Sequence, residues 1–368
     1  MVTDKGFSLG SVSRGEPLTR IDAALIVPET RARGYAVVDA QGAPIVDALT
    51  IRAGGMREIA FVDRDQVKPA QHLKGRYLFA GEYWWHFGHF LFESMSRLWA
   101  LDLLDEPLDG LVFLNPRGER PANRAVQQQQ LLDLLGIRLP LIRVTSTTEV
   151  EHLIVPRQGF GLGALAAGTP FARGYFQSRF RAVAPRRGAE KIYISRAGYK
   201  NRRGGILVEH VLERLLAAEG YTPFQPEQHS IEEQIATYLG ARQIIGPDSS
   251  ALHLYGFVGT PAQDLAIVLR RTMGAVDMLP QITGFTGRKP LVIDAIQRIW
   301  TRDNARRASW ADFAQLDFPA LGQALHRDGY IADPAPWAPL TRRQLAKTQE
   351  SLMAQLGCTF TFSEPQRG

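Results

Sequence analysis

Residues 82–99 read EYWWHFGHFLFESMSRLW, a run that crowds aromatic and leucine side chains around His86, His89, Glu93 and Arg97. His89 and Glu93 are four apart, the spacing at which two side chains meet on one helical face. An imidazole backed by a carboxylate has the parts of a general base and its orienting group. Two other readings stand beside that one. His–Glu and Glu–Arg pairs on a solvated helix face would each be worth only about 0.2–0.5 kcal/mol. Alternatively, His86, His89 and Glu93 could share a face as metal ligands, although HxxHxxxE matches no common ligand spacing. The tryptophans read first as core. Trp84 or Trp85 could still stack on an acceptor, Trp85 with His86 next to it on the acceptor side, and His86 could instead be structural.

Two further stretches carry chemistry. In IIGPDSSALH (244–253) a buried strand ends at Gly246 and a helix begins near Asp248 or Ser249. The small residues Ser249, Ser250 and Ala251 would let a phosphate approach the N–H groups at that helix start. The plainer reading makes Asp248 or Ser249 an N-cap. His253, one turn inward, reads as a core histidine. In YISRAGYKNRR (193–203) a strand ends in Ser195-Arg196 and a basic loop follows. Arginine at the carboxyl end of a strand can grip a diphosphate with its planar fork of donors. Lys200 and Arg203 read as solvated loop charges.

The elements that must position these residues follow from periodicity. The first eighty residues suggest short strands at 23–28, 35–40, 57–62 and 76–82. From His86, apolar residues recur at three and four (Phe87, Phe90, Leu91, Leu98, Leu101), which predicts one helix with His89, Glu93 and Arg97 stacked beside its apolar stripe. Strands at 110–116, LIRVT and HLIVP, and a helix at 125–137, complete the first half. The second half alternates strand and helix: strands at 191–196, 242–246, 264–270 and 289–296, with helices at 206–220, 230–241 and 247–258. Ser230 and Glu233 form a capping box at the start of the second of these helices. Such alternation implies a parallel sheet covered on both faces. The Gly- and Ala-rich stretch 159–170, followed by a basic helix near 171–185, marks the expected boundary. It separates an N-terminal α/β domain (1–168), a second α/β domain (169–330) and a helical tail (331–368).

Composition narrows the field. With 368 residues, 45% hydrophobic and 22% charged, the chain has the make-up of a globular protein with a large core. Its one cysteine, Cys358, excludes a disulfide framework and a multi-cysteine zinc site. The net charge of +6 comes almost wholly from arginine and suits a phosphorylated ligand or an anionic membrane surface. It is too scattered for a nucleic-acid stripe. The first residues lack the apolar run of a signal peptide, and the apolar loop at 159–171 falls short of the roughly 20 residues that cross a bilayer. The expectation is a cytoplasmic protein, peripheral to a membrane at most.

Four stretches in order, GHFLFESMSRLW (88–99), KIYISRAGYKNRR (191–203), SIEEQIATYLGA (230–241) and IIGPDSSALH (244–253), resemble the motifs of glycosyltransferase family 61, which includes bacterial capsular-polysaccharide proteins. The chain departs from them at Asp248, where a histidine is frequent, and at Ser249, where a glycine is. The resemblance implies a GT-B fold, two Rossmann-like domains facing across a cleft, and metal-independent, inverting transfer from a nucleotide-sugar to a glycan hydroxyl, with no cofactor. On that footing His89 is the expected base and Glu93 its orienter. Arg196, assisted by Asn201 or Arg202, meets the donor diphosphate. Asp248, Ser249, Ser250 and Ala251 line the phosphate site, and Glu232 or Glu233 meets the ribose or base.

Overall fold

A computed structural model describes residues 18–29, 34–52, 55–56, 62–115, 126–198, 204–272, 274–276, 278–303 and 311–365. The first sheet is built from β1 (Leu18–Val27), β2 (Ala36–Val38), β5 (Gln71–Glu82), β6 (Gly110–Leu114), β7 (Leu141–Val144) and β8 (Thr148–Pro156), in the order β2-β1-β8-β5-β6-β7. A two-stranded ribbon of β3 (Ile51–Arg52) and β4 (Gly55–Met56) precedes β5. Strands β8, β5, β6 and β7 run parallel, while β1 pairs antiparallel with β2 and β8. The second half of β5 is buried without a break from Tyr77 to Glu82, as a strand covered on both faces must be. Most of the expected strand at 57–62 lies outside the described residues.

The chain then enters α1 (Phe87–His89), α2 (Val126–Leu134) and α3 (Pro170–Val183). Thr169 caps α3 by accepting the Ala172 N–H, and Pro170 sits in its first turn, where a missing N–H costs nothing. The second sheet contains β9 (Lys191–Ile194), β10 (Thr222–Phe224), β11 (Gln243–Pro247), β12 (Asp264–Val268) and β13 (Leu291–Ile293). Its helices are α4 (Glu209–Ala218), α5 (Ile231–Gly240), α6 (Ser250–Val258) and α7 (Met278–Thr286). All of its strands are parallel, in the order β10-β9-β11-β12-β13. The chain leaves β9 for the edge, then returns past it to β11 and continues in the opposite direction. The carboxyl ends of β9 and β11 therefore form a topological switch point, where open parallel sheets hold their ligands.

The architecture is mixed α/β with parallel-strand sheets, as the alternation implied. One apolar interior joins the two sheets: Leu78 and Phe113 from the first belong to the same cluster as Ile194 and Leu265 from the second. Phe160 lies at its middle, with Phe176, Phe257 and Phe285 at ring-centroid distances of 5.3, 5.5 and 5.7 Å. The C-terminal part adds β14 (Ile296–Arg302), β15 (Phe313–Leu316), α8 (Phe318–Arg327), α9 (Arg342–Leu356) and β16 (Phe360–Ser363). The tail is thus not purely helical, because β16 pairs with β14 and completes a three-stranded antiparallel sheet. Among the described residues no helix is long and apolar enough to cross a membrane.

Candidate functional site

The single helix expected from His86 is broken into three pieces: α1, a π turn over Phe90–Ser94 and a 3-10 stretch over Leu98–Leu103. The π turn is closed by Met95 N–H on the Phe90 carbonyl at 3.2 Å, an i→i+5 bond of a kind that recurs at functional sites. The Ser94 hydroxyl accepts the Trp84 N–H at 2.9 Å and ties the turn to the incoming chain. Beyond the turn the side-chain stripe rotates, so Arg97 leaves the face shared by His89 and Glu93. Arg97 is fully buried and donates to the carbonyls of Pro156, Asp47 and Leu49 at 3.0, 3.2 and 2.6 Å. Burial pulls its guanidinium below the ordinary arginine range. Gly81, at φ +95°, leaves it room, since a Cβ there would come 2.7 Å from the guanidinium.

Glu93 Oε1 lies 2.5 Å from His89 Nδ1, and the Arg52 guanidinium grips the same carboxylate from the other side, Nε to Oε2 at 2.6 Å and Nη2 to Oε1 at 3.1 Å. The Glu93 side chain is 2% exposed and that of His89 41%. Burial decides against the solvated-pair reading, because an exposed carboxylate would be screened and weakly held. An ionised carboxylate only accepts, so Nδ1 carries the hydrogen, and in the neutral ring Nε2 presents its lone pair. The buried Trp84 ring supports the group, with Arg52 4.7 Å and the His89 ring 5.5 Å from its centroid. His86 caps α1 from extended backbone, its ring 5.2 Å from that of His89. Trp85 is half-buried, edge-on to Tyr83 at 5.0 Å and under Arg143 at 5.2 Å. No group of three or more His, Cys, Asp or Glu side chains among the described residues is placed to hold a metal ion.

The second cluster gathers at the switch point. Arg196, Asp248 and Arg270 each follow closely on the carboxyl end of a strand, β9, β11 and β12. Asp248 is fully buried. Its Oδ1 accepts the Arg270 backbone N–H at 2.6 Å, and its carbonyl accepts Arg270 Nε at 2.9 Å. Arg271 donates to Oδ2 through Nε at 2.7 Å and lies 2.6 Å away through Nη2. The negative charge that would repel a diphosphate is therefore taken up, and Asp248 acts on the two arginines rather than on open space. Burial pushes the Arg270 guanidinium down to about 10, Asp248 opposes that shift, and the nearby charges of Arg271 and Arg196 reinforce it. Arg196, Arg270 and Arg271 bring three guanidinium groups to this corner around the Asp248 carboxylate, with Glu209 behind Arg196.

Ser249 occupies the N-cap of α6 in extended backbone, yet no side-chain bond caps the helix. Its buried hydroxyl has no hydrogen-bond partner among the described residues. Asp248 is therefore not the cap, Ser249 holds the N-cap position without a capping side-chain bond, and the helix start keeps its N–H groups beside the arginines. Ser250 and Ala251 are half-buried there. Asn201 and Arg202, with Lys200 and Arg203, lie outside the described residues. Glu233 closes the capping box, its carboxylate accepting the Ser230 N–H at 2.8 Å, and Glu232 is exposed beside it.

Gly88 joins the two clusters. A Cβ on Gly88 would come 2.8 Å from Ser250 Oγ and 3.4 Å from the His253 ring. The turn that carries His89 is thus pressed against the first residue of α6. His253 is a packing residue, stacked on Phe92 at 5.1 Å and bonded through Nδ1 to Gln281 at 2.5 Å. Three participants escape the sequence reading: Arg52, Arg270 and Arg271. The last two had a signal, since DLAIVLRR repeats the strand-then-arginine pattern that singled out Arg196. Arg52, in TIRAGG, had none.

Glu209, at the start of α4, supports Arg196 from below. Its Oε1 accepts the Arg196 N–H and the Tyr193 hydroxyl, both at 2.8 Å. Burial pushes its carboxyl up to about 7 from an ordinary 4.5, against the pull of those hydrogen bonds and of the Arg196 charge. A raised acid is stabilised in its protonated form, so its contribution is complete below about pH 4.5 and fades as pH rises through about 7. The shift corresponds to about 3 kcal/mol at most. Glu209→Gln keeps the acceptor and removes the titration. Thermal melts at pH 5 and pH 8 are expected to show the variant losing less stability than the wild type across that interval.

Residues 87–263 match a family model described as Glycosyltransferase 61. The matched segment contains His89, Glu93, Arg196 and Asp248–Ala251, and it leaves out Arg52, Arg270 and Arg271. No curated protein matches the chain.

Proposed function

We propose, with that family match as the premise, that the chain is a glycosyltransferase moving a sugar from a nucleotide-sugar to a hydroxyl of a glycan by one inverting displacement. The observation that carries the reading is the contact of Gly88 with Ser250, which sets a carboxylate-backed imidazole beside an uncapped helix start flanked by arginines. In this reading His89 Nε2 takes the proton of the acceptor hydroxyl. The acceptor oxygen bonds to the anomeric carbon as the bond from that carbon to the diphosphate oxygen breaks, and the electron pair leaves on the diphosphate. The growing charge is met by the N–H groups of Ser250 and Ala251, the Ser249 hydroxyl, Arg196 and Arg271. These groups stand where a metal ion would otherwise serve. Asn201 and Arg202 are assigned to assist Arg196 at the diphosphate, and Glu232 or Glu233 to meet ribose or base, Glu233 being already engaged in the capping box. Trp85 and His86 border the acceptor side.

The two sheets then correspond to the two halves of a GT-B enzyme, 1–168 and 169–330, with 331–368 bracing the second. The work assigned to it is surface or capsular polysaccharide synthesis in the cytoplasm, with the arginine excess favouring an anionic membrane surface. A non-catalytic nucleotide- or polysaccharide-binding protein is the second reading, favoured by the departure at Asp248, where the family frequently has a histidine.

A thermal-stabilisation screen of nucleotides and nucleotide-sugars tests the proposal, because a bound ligand raises the melting temperature by mass action. A nucleoside diphosphate is expected to stabilise the wild type. Arg196→Ala and Arg271→Ala are each expected to weaken its binding by about tenfold or more, the worth of a charge-assisted bond. Unchanged affinity would remove the residue from the site, and no stabilisation by any nucleotide would count against the function.

A further inference from the structure

We infer that Arg52 is a positioning residue for the base, acting through Glu93, and that the segment from Asp47 to Arg52 is held in place for that purpose; this rests on the function proposed above. The path runs through backbone that three buried side chains secure. Arg97 donates to the carbonyls of Asp47 and Leu49. The Tyr35 hydroxyl donates to the Ala48 carbonyl at 3.1 Å and accepts the Thr50 N–H at 2.8 Å. The Gln158 amide pairs with Ile51 in both directions, accepting its N–H at 2.7 Å and donating to its carbonyl at 3.1 Å. Gln158 is itself fixed, donating to the Phe160 carbonyl at 2.9 Å, and a Cβ on Gly161 would collide with its amide. Every peptide from 47 to 51 is thus tied to buried groups, and the next side chain is the one that reaches Glu93.

That reach answers a need of the site. A carboxylate at 2% exposure stays ionised only with a charged partner, and a neutral imidazole donates one hydrogen and no charge. Arg52 supplies the charge and, through two of its nitrogens, an orientation. The plane of the carboxylate is set by that grip, and Oε1 is aimed at His89 Nδ1. The charged and titratable groups around the imidazole are Glu93, Arg52 and His86. With Arg52 gone, the plane of the Glu93 carboxylate is no longer fixed, and the hydrogen on His89 is no longer confined to Nδ1.

The test reads the ring directly. In the full-length protein labelled with 15N-histidine, the His89 signals, assigned by their loss in His89→Asn, are expected to show Nδ1 protonated and Nε2 bare. Arg52→Gln is expected to give a mixture of the two tautomers. On a nucleotide-sugar that the wild type turns over, the same variant should lower kcat about a hundredfold, with donor KM changed by no more than about threefold, the pattern of a misplaced base. Arg52→Lys, which restores a point charge without the fork, is expected to fall between the wild type and Arg52→Gln, with the Nδ1-protonated ring predominating and part of kcat recovered. Melting curves confirm that the variants are folded, and Arg52→Lys keeps the test open should Arg52→Gln not fold. Wild-type ring signals and kcat in Arg52→Gln, or a mixed tautomer in Arg52→Lys equal to that in Arg52→Gln, overturn the assignment. If the wild type transfers from no nucleotide-sugar, the proposed function fails, and the ring signals alone decide the role of Arg52.

Discussion

Replacing His89 with alanine is expected to lower transfer by about a thousandfold while nucleoside-diphosphate binding changes by no more than about twofold. The size follows from the worth of a positioned general base, about 10²–10⁴ in rate. The separation of effects follows from place. His89 is the last residue of α1, whereas the groups proposed to face phosphate belong to α6 and to the ends of β9 and β12. The two parts touch where Gly88 meets Ser250 and Phe92 stacks on His253, and none of these residues is altered. His89→Gln, which keeps a polar group without a base, is expected to fail equally. Single-turnover rates and equilibrium titration with a nucleoside diphosphate measure the two quantities. Loss of binding together with turnover would place His89 in the donor site instead.

The second large effect is on folding. Asp248→Ala is expected to destabilise the protein by about 3–5 kcal/mol, the cost of leaving a buried charge without its partner. Arg270 is only 6% exposed; its backbone N–H loses Oδ1, and its guanidinium keeps the main-chain carbonyl of residue 248 but loses the carboxylate charge 3.9 Å away. Arg271 loses its carboxylate at the same time. The loop is fitted to that carboxylate, since a Cβ on Gly274 would collide with it. Chemical denaturation is the measurement. A loss below about 1 kcal/mol would mean that the arginines find other partners and that Asp248 is not what holds them.

Much of this arrangement could be read before the structure. The strand–helix alternation of the second half, the capping box at Ser230 and Glu233, the helix start near 249 and the His89–Glu93 pair all depend on neighbours within about one turn, where spacing is informative. What escaped depends on register and distance. Asp248 meets Arg270 because β11 and β12 pair with Pro247 opposite Val268, a relation no local pattern encodes. Arg52 reaches Glu93 across 41 positions, through a segment held by Arg97, Tyr35 and Gln158. The π turn escaped for another reason. Apolar residues at three and four look the same in an α-helix and in a turn that adds one residue, yet that residue sends Arg97 into the core. The antiparallel sheet of β14, β15 and β16 joins strands up to about sixty residues apart, and its last strand lies in what composition suggested was a helical tail.

The central claim is that one gap holds the base on one wall and the phosphate groups on the other. A crystal structure with a nucleoside diphosphate bound tests it most directly. The terminal phosphate should rest on the N–H groups of Ser250 and Ala251 with Arg271 and Arg196 around it, and His89 Nε2 should face it across no more than the width of one sugar ring. Phosphates bound away from the start of α6, or an imidazole turned from them with protein between, would contradict the account.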